Sequence, residues 1–254
     1  MDYVESADGT KIAFERIGSG PALILASGAF CDRRTFADLA ALLAQHFTVT
    51  TYDRRGRGDS GDTQPYAVAR EVEDIAALIA HAGTSVFLYG HSSGAILAVE
   101  AAAAGLAIDK LAVYDPPYVS EQVPGLTDRV RTMALSGDRE GAATAFLTEA
   151  IGVPAEFVPM IKQGEDWNGM LGIAHTLWYD LMICSRDDVP VDQVTGIGVE
   201  TLAMAGANSP DDLRRGSERL AAAMPNARLK IVEGQDHRLD NQVIAPILID
   251  YFSG

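Results

Sequence analysis

Short runs of apolar residues alternate along the chain with segments in which apolar residues recur at helical spacing. A continuous apolar run is typical of a strand buried on both faces, whereas a recurrence every three or four positions is typical of a helix with one buried side. Strands are predicted for the apolar runs 22–26, 86–89 and 111–114, for the β-branched run 47–52, and for 201–205 and 229–232. The segments that predict helices are 35–45, 68–82, 211–223 and 242–252, together with an Ala-rich helix to about residue 104.

The order of these elements predicts the fold class. A hairpin is expected first, because residues 3–5 and 11–17 flank a turn at Asp8-Gly9-Thr10. After it, strands alternate with helices, which is the pattern of a parallel sheet covered on both faces. The chain is therefore predicted to have an α/β fold.

One long interval interrupts the alternation of strands and helices. Residues 118–195 contain helical pieces at 139–150 and 170–183, scattered Pro and Gly, and no clear strand. An insertion of this kind is expected to lie over the sheet as a helical cap. We therefore predict an α/β core formed by residues 1–117 and 196–254, with 118–195 as the cap.

Composition and charge narrow the range of partners. The 254 residues are 48% hydrophobic and 22% charged, which is ordinary for a globular chain. The net charge of −15 repels phosphate backbones and anionic lipid, so neither nucleic acid nor a membrane surface is an expected partner. The longest apolar stretches, such as 95–104, are too short to span a bilayer.

Cysteine content and the first residues bear on the compartment. Cys31 and Cys184 are the two cysteines of the chain, too few and too widely separated to imply a disulfide framework. The chain begins Met1-Asp2-Tyr3-Val4-Glu5, with no basic region followed by an apolar run, so no signal peptide is predicted. These features predict reduced thiols and a cytoplasmic location.

The strongest chemical signal is the stretch Gly90-His91-Ser92-Ser93-Gly94, the one match to G-x-S-x-G in the chain. A predicted strand precedes it and a predicted helix follows it. At such a sharp strand-to-helix turn a side chain at either flanking glycine would clash, and the turn lifts the serine hydroxyl clear of the sheet. The following helix N-terminus offers free N–H groups and the positive end of a dipole. Ser92 is therefore the predicted nucleophile.

The order of strands, this elbow and the run from Tyr52 to Ser60 (YDRRGRGDS) resemble the α/β-hydrolase superfamily, and most closely its small capped esterases, perhydrolases and C–C hydrolases. The resemblance covers the predicted core and not the cap. It implies a mostly parallel sheet of eight strands flanked by helices, and it implies that the charged run at 52–60 is a structural loop rather than catalytic machinery.

The resemblance also indicates the base. Serine is a poor nucleophile until a neighbour takes its proton, and histidine titrates near working pH. Of the five histidines, His237 follows the last predicted strand, where the family places its base in the chain order nucleophile, acid, base. His237 is therefore the predicted general base.

The acid departs from the family pattern. The family carries an aspartate after the strand before the last, in a form like G-x-x-D, but this chain has Ser209 at that position. A serine cannot stabilise an imidazolium as a carboxylate does. Asp115, at the end of the strand that follows the nucleophile helix, is the preferred replacement. Asp211 or Asp212, or the absence of a working acid, remain alternatives.

The oxyanion hole is predicted from backbone groups. One donor is the N–H of Ser93, directly after the nucleophile, and the other comes from the loop after the 22–26 strand. We assign Ala29 as that second donor, with Phe30 as the one-residue alternative. Ser27 replaces the histidine that many relatives carry, a change that leaves a backbone donor unaffected.

These predictions favour a serine hydrolase that acts on a small ester or related acyl substrate through an acyl-enzyme on Ser92. The insertion would shape an apolar acyl pocket, and no cofactor or metal is expected, because no H-E-x-x-H, C-x-x-C or P-loop occurs. The missing aspartate motivates an alternative: a non-hydrolytic protein of this fold, such as a lyase, a perhydrolase or a ligand-binding protein. A purely structural or partner-binding protein is a third. Homo-oligomer formation is left open.

Overall fold

Eight strands form a single sheet in the computed structural model, which describes residues 1–118, 123–185 and 188–254. The strands are β1 (Asp2–Glu5), β2 (Lys11–Ile17), β3 (Ala22–Ala26), β4 (Thr48–Tyr52), β5 (Val86–His91), β6 (Ile108–Tyr114), β7 (Glu200–Gly206) and β8 (Ala227–Val232). Their order in the sheet is β1-β2-β4-β3-β5-β6-β7-β8. The β1–β2 and β2–β4 pairs are antiparallel and the remaining pairs are parallel. The predicted fold class is confirmed.

Helices cover both faces of the sheet. The helices are α1 (Ala37–Leu43), α2 (Val68–Ala82), α3 (Ser93–Ala103), α4 (Leu126–Leu135), α5 (Arg139–Ala145), α6 (Val158–Lys162), α7 (Trp167–Ile173), α8 (Leu177–Ile183), α9 (Val191–Val194), α10 (Asp211–Ala223) and α11 (Asn241–Ser253). Successive side chains of a strand point to opposite faces. In β3, Leu23 and Leu25 pack with α1 and α11, while Ile24 packs with α2, α3 and α10. The continuous apolar run of this strand is thus explained by burial on both sides.

Helices α4 to α9 occupy the interval between β6 and β7, called here the helical segment. No strand is present among its described residues. The helix predicted over 139–150 continues beyond α5 as a π-helical turn, Phe146–Ala150, and the one predicted over 170–183 is interrupted by a 3-10 turn, Ala174–Thr176. Its buried apolar cluster also contacts Ala29 and Phe30 in the loop after β3. The division into core and cap stays a prediction.

The six parallel strands bring the segments that follow them to one edge of the sheet. At the carboxyl edge, the segments that follow β4, β3, β5, β6, β7 and β8 lie side by side in that order. Open α/β sheets bind ligands at this edge. In the described part of the chain, no helix has the length and apolar character needed to cross a membrane.

Candidate active site

Ser92 is the single residue between the end of β5 and the start of α3. Its backbone has φ 56° and ψ −128°, a conformation that non-glycine residues rarely adopt. Such strain persists where the surrounding structure enforces it and is concentrated at functional sites. The sharp turn predicted from the sequence is present, with the nucleophile candidate at its apex.

The two flanking glycines allow this turn for steric reasons. A Cβ atom at Gly90 would overlap the carbonyl oxygen of Gly94, and one at Gly94 would overlap the carbonyl oxygen of Ala26 in the neighbouring strand. Gly28, in the loop after β3, is equally constrained, since a Cβ there would lie 2.8 Å from the Cβ of Ser92. The loop that is predicted to supply an oxyanion donor therefore runs directly against the nucleophile.

Asp115 and His237 are in contact. Asp115 directly follows β6, next to β5 in the sheet; it is completely buried and has a positive φ of 48°. Its Oδ2 lies 3.0 Å from Nδ1 of His237, whose side chain is 34% exposed. The hydroxyl of Ser209 donates to the same Oδ2 at 2.6 Å. The serine that stands at the family's acid position thus supports a carboxylate from the adjacent strand.

The alternative acids lie elsewhere. Asp211 and Asp212 begin α10, with side chains 72% and 59% exposed, and each pairs with an arginine of its own helix, Arg214 and Arg215 respectively. Neither has a hydrogen bond to His237 among the described residues. The geometry therefore favours Asp115 over both.

Three consecutive carbonyl groups hold the loop that carries His237. The carbonyl of Gln235 accepts from the backbone N–H of Asn208 at 2.8 Å, and that of Asp236 accepts from the hydroxyl of Tyr114 at 2.8 Å. The carbonyl of His237 lies 3.0 Å from Nε2 of His91, which donates to it. The donors come from the ends of β7, β6 and β5 in turn. The loop is thus tied to each strand that it crosses on its way toward Ser92.

His91 is held neutral in this position. Loss of hydration, together with the nearby His237 ring, lowers the pKa of His91 from 6.5 to about 3, although its hydrogen bond to the His237 carbonyl acts in the opposite direction. The ring centroids of the two histidines are 4.7 Å apart. His91 therefore serves as a neutral N–H donor rather than as a second base.

This burial predicts a pH dependence of stability. The folded-state pKa of His91 is depressed, so between about pH 6.5 and 3 the unfolded chain binds a proton that the folded chain does not. The free energy of unfolding is then expected to decrease as the pH is lowered through this window, by up to about 1.4 kcal/mol per pH unit from this group. Urea unfolding of the wild type and of His91→Gln, whose amide can keep the bond to the carbonyl, checks this. The variant should show the shallower slope, and parallel slopes would contradict the assignment.

The loop after β3, which is predicted to supply an oxyanion donor, is anchored by buried charges that the sequence analysis did not single out. Arg57 donates to the carbonyl oxygens of Gly28 and Cys31, at 2.6 Å and 3.3 Å. It also forms an ion pair with Asp180 of α8, at 2.6 Å. Asp180 had no signal in the sequence. The available signal for Arg57 was the presence of three arginines within residues 54–57, a higher density of positive charge than an exposed loop needs.

Among the described residues, no group of three or more His, Cys, Asp or Glu side chains is arranged to hold a metal ion. The predicted site residues all follow strands that end at the carboxyl edge of the sheet. Ser92, Asp115 and His237 come from the ends of β5, β6 and β8, and Ala29 follows β3.

Comparison with known proteins agrees with this architecture. A model of the Alpha/beta hydrolase family matches residues 23–243. The crystal structure of an alpha/beta hydrolase from Sphaerobacter thermophilus is 46% identical, covers 99% of this chain and 100% of its own, and superposes with a TM-score of 0.93. A non-heme haloperoxidase from Rhodococcus erythropolis is 27% identical, with 93% of each chain covered. N-formylmaleamate deformylase from Pseudomonas putida is 35% identical over 147 residues. The match covers 52% of this chain and 55% of that relative's length.

The chain therefore belongs to the α/β-hydrolase family. It is an enzyme of the hydrolase class, built on the eight-stranded sheet described above.

Proposed function

We propose that the enzyme hydrolyses a small ester or a related acyl compound through an acyl-enzyme formed on Ser92. The observation that carries the proposal is the 3.0 Å hydrogen bond between Asp115 and His237, in a loop that leads to the strained nucleophile turn. A serine activated by a histidine, with a carboxylate behind the histidine, is the arrangement of serine acyl transfer on several unrelated folds.

Each side chain has a defined part in the proposed reaction. His237, with its Nδ1 proton donated to Asp115, takes the hydroxyl proton of Ser92 at Nε2 as the oxygen attacks the carbonyl carbon. The backbone N–H groups of Ala29 and Ser93 stabilise the oxyanion. The leaving alcohol receives the proton from His237. Water, deprotonated by the same imidazole, then releases the acid and restores Ser92.

The substrate class follows from the surroundings of the oxyanion loop. Ala29 and Phe30 pack against the apolar cluster of the helical segment, and the ring of Phe30 lies 5.4 Å from that of Phe146 in an edge-on contact. Such a lining favours an apolar acyl group over a charged one. The name of one relative, N-formylmaleamate deformylase, denotes the removal of a formyl group, which is an acyl group.

The non-hydrolytic alternative was motivated by the missing aspartate after β7. Asp115 supplies a carboxylate to His237 from the neighbouring strand, so that motive is weakened. The proposed hydrolase and a ligand-binding protein of this fold make different predictions for the reactivity of Ser92, because a binding protein has no need of an activated hydroxyl.

A fluorophosphonate probe tests the proposal directly. The Ser92 oxygen would attack phosphorus, the P–F bond would break, fluoride would leave and the hydroxyl proton would pass to His237. We expect a stoichiometric adduct on the peptide that contains Ser92, detected by mass spectrometry of the digested protein. Ser92→Ala should give no adduct, whereas Ser136→Ala, at an exposed serine of the helical segment, should react like the wild type.

The opposite result has a clear meaning. A folded wild-type protein that remains unlabelled at Ser92, under conditions that label a known serine esterase, would overturn the acyl-enzyme proposal and favour the non-hydrolytic alternative.

A further inference from the structure

Four charged side chains form a buried network beside the nucleophile. Arg54, Arg57 and Asp180 are each 1% exposed and Glu71 is 2% exposed. Arg54 binds Glu71 through two hydrogen bonds of 2.6 Å and 2.7 Å, and it pairs with Asp180 at 2.8 Å. Two positive and two negative charges balance. Burying so many charges carries a large desolvation penalty, and apolar replacements of such networks are often at least as stable. The network therefore calls for an explanation beyond stability.

Arg57 acts on the peptide unit that contains the predicted oxyanion donor. Its Nη1 donates to the carbonyl oxygen of Gly28 at 2.6 Å. The peptide bond between Gly28 and Ala29 is planar, and in the trans form its C=O and N–H point in opposite directions. A charged donor that fixes the Gly28 carbonyl therefore also fixes the direction of the Ala29 N–H. It polarises the same peptide, which strengthens that N–H as a donor.

Asp180 links this donor to the second one. One carboxylate oxygen of Asp180 accepts from Arg57 at 2.6 Å, and the other accepts from the hydroxyl of Ser93 at 2.7 Å. Burial alone would raise the pKa of Asp180, but Arg57 and Arg54 lower it below its ordinary value, so the group is a carboxylate at neutral pH. Ser93 carries the other predicted oxyanion N–H. A single carboxylate from α8 thus holds both sides of the proposed hole.

We propose that Arg57 is a positioning residue for the oxyanion hole and that Asp180 orients it from the helical segment. The inference rests on the proposed function, because it assigns a task to the Ala29 and Ser93 N–H groups in that reaction. Arg57 does not touch the substrate. It holds the Gly28–Ala29 peptide in the orientation that the transition state needs, since catalysis is sensitive to the preorganisation of such donors.

The chain offers a matched control in Arg55. It lies in the same loop, is equally buried and binds Asp74 through two hydrogen bonds of 2.8 Å and 2.7 Å. Its other partners are Asp8 and the carbonyl of Arg70, which are remote from the loop after β3. Arg57→Lys and Arg55→Lys therefore each remove one buried guanidinium and keep the positive charge. Of the two variants, only Arg57→Lys loses the guanidinium hydrogen bond to the carbonyl oxygen of Gly28.

The experiment measures Ser92 labelling by a fluorophosphonate as a function of probe concentration. The phosphonyl oxygen occupies the oxyanion hole as the bond forms, so the limiting rate of labelling reports on that hole. We expect Arg57→Lys to lower the limiting rate by about 10- to 100-fold, less than the roughly 100- to 1,000-fold loss when an oxyanion donor is removed outright. The half-saturating probe concentration should change little. Arg55→Lys should match the wild type in both quantities, and circular dichroism checks that both variants are folded.

A second measurement distinguishes an effect on the oxyanion hole from an effect on the general base His237. The pH midpoint of the labelling rate reports on His237 and should be the same in Arg57→Lys and the wild type, because the contact with Asp115 is untouched. A shifted midpoint, or a limiting rate equal to that of Arg55→Lys, would overturn the inference. If Arg57→Lys does not fold, the isosteric Asp180→Asn is measured in its place, and a wild-type limiting rate there has the same meaning. An unlabelled wild type would instead count against the proposed function.

Discussion

Replacement of His237 by alanine is expected to lower kcat for a simple ester such as p-nitrophenyl acetate by about a millionfold. His237 is the predicted acceptor of the Ser92 proton, and its Nδ1 lies 3.0 Å from Asp115. Without an imidazole the hydroxyl remains protonated at neutral pH and is a weak nucleophile. The measurement is kcat by single-turnover or steady-state kinetics. His46→Ala, at an exposed histidine distant in sequence from His237, serves as control and should keep the wild-type kcat.

The double variant Ser92→Ala/His237→Ala sharpens this prediction. Residues that act as one catalytic unit show losses that do not add, so the double variant should be about as slow as either single variant. If the two losses multiply instead, Ser92 and His237 contribute to turnover independently. The acyl-enzyme mechanism would then be wrong, even with both residues important.

The second large effect is expected at Asp115. Asp115→Asn should lower kcat by roughly ten-thousandfold, because an amide in place of the carboxylate favours the wrong tautomer of His237 and cannot stabilise its protonated form. The side chain is isosteric, so the fold should persist. Asp211→Asn is the matched control, since that aspartate is exposed and binds Arg214. Its kcat should remain that of the wild type, and a large loss there would mean that the acid has been misassigned.

The position of Ser209 allows this loss to be partly reversed. Its hydroxyl lies 2.6 Å from Oδ2 of Asp115, the atom that contacts His237. In Asp115→Asn/Ser209→Asp the carboxylate returns to the strand end where the family pattern expects it. We expect kcat of the double variant to exceed that of Asp115→Asn by at least about tenfold, because part of the carboxylate's contribution to catalysis is restored. Ser209→Asp alone should be impaired, because two carboxylates would then meet in a buried site. No recovery in a folded double variant would contradict the idea that the two positions are interchangeable.

The parts of the site that follow from local rules were predictable from the sequence. The turn at Ser92 requires two small residues at fixed positions between a strand and a helix, a constraint that is visible in five consecutive letters. The central strand β3 was predictable because burial on both faces leaves it with an uninterrupted apolar run. His237 could be assigned by its place after the last strand.

The remaining features depend on which strands and helices become neighbours. Asp115 and His237 are separated by 122 residues, and their contact depends on the adjacency of β6, β7 and β8 and on the path of the loop after β8. Arg57 and Asp180 are 123 residues apart, with the carboxylate in a segment that carries no motif. No periodicity or local spacing encodes such pairs. The arginine cluster at 54–57 and the position of Asp115 at a strand end were visible in the sequence, but only packing reveals which charges are buried and matched.

The three hydrogen bonds to the His237 loop have a consequence for how this site can change over evolutionary time. The imidazole is carried by backbone carbonyls tied to the ends of β7, β6 and β5, and none of these bonds involves the acid. Moving the carboxylate from one strand end to the next therefore leaves these three hydrogen bonds in place. His91 and Tyr114, outside the proposed triad, therefore hold the loop of His237 whichever strand end supplies the acid.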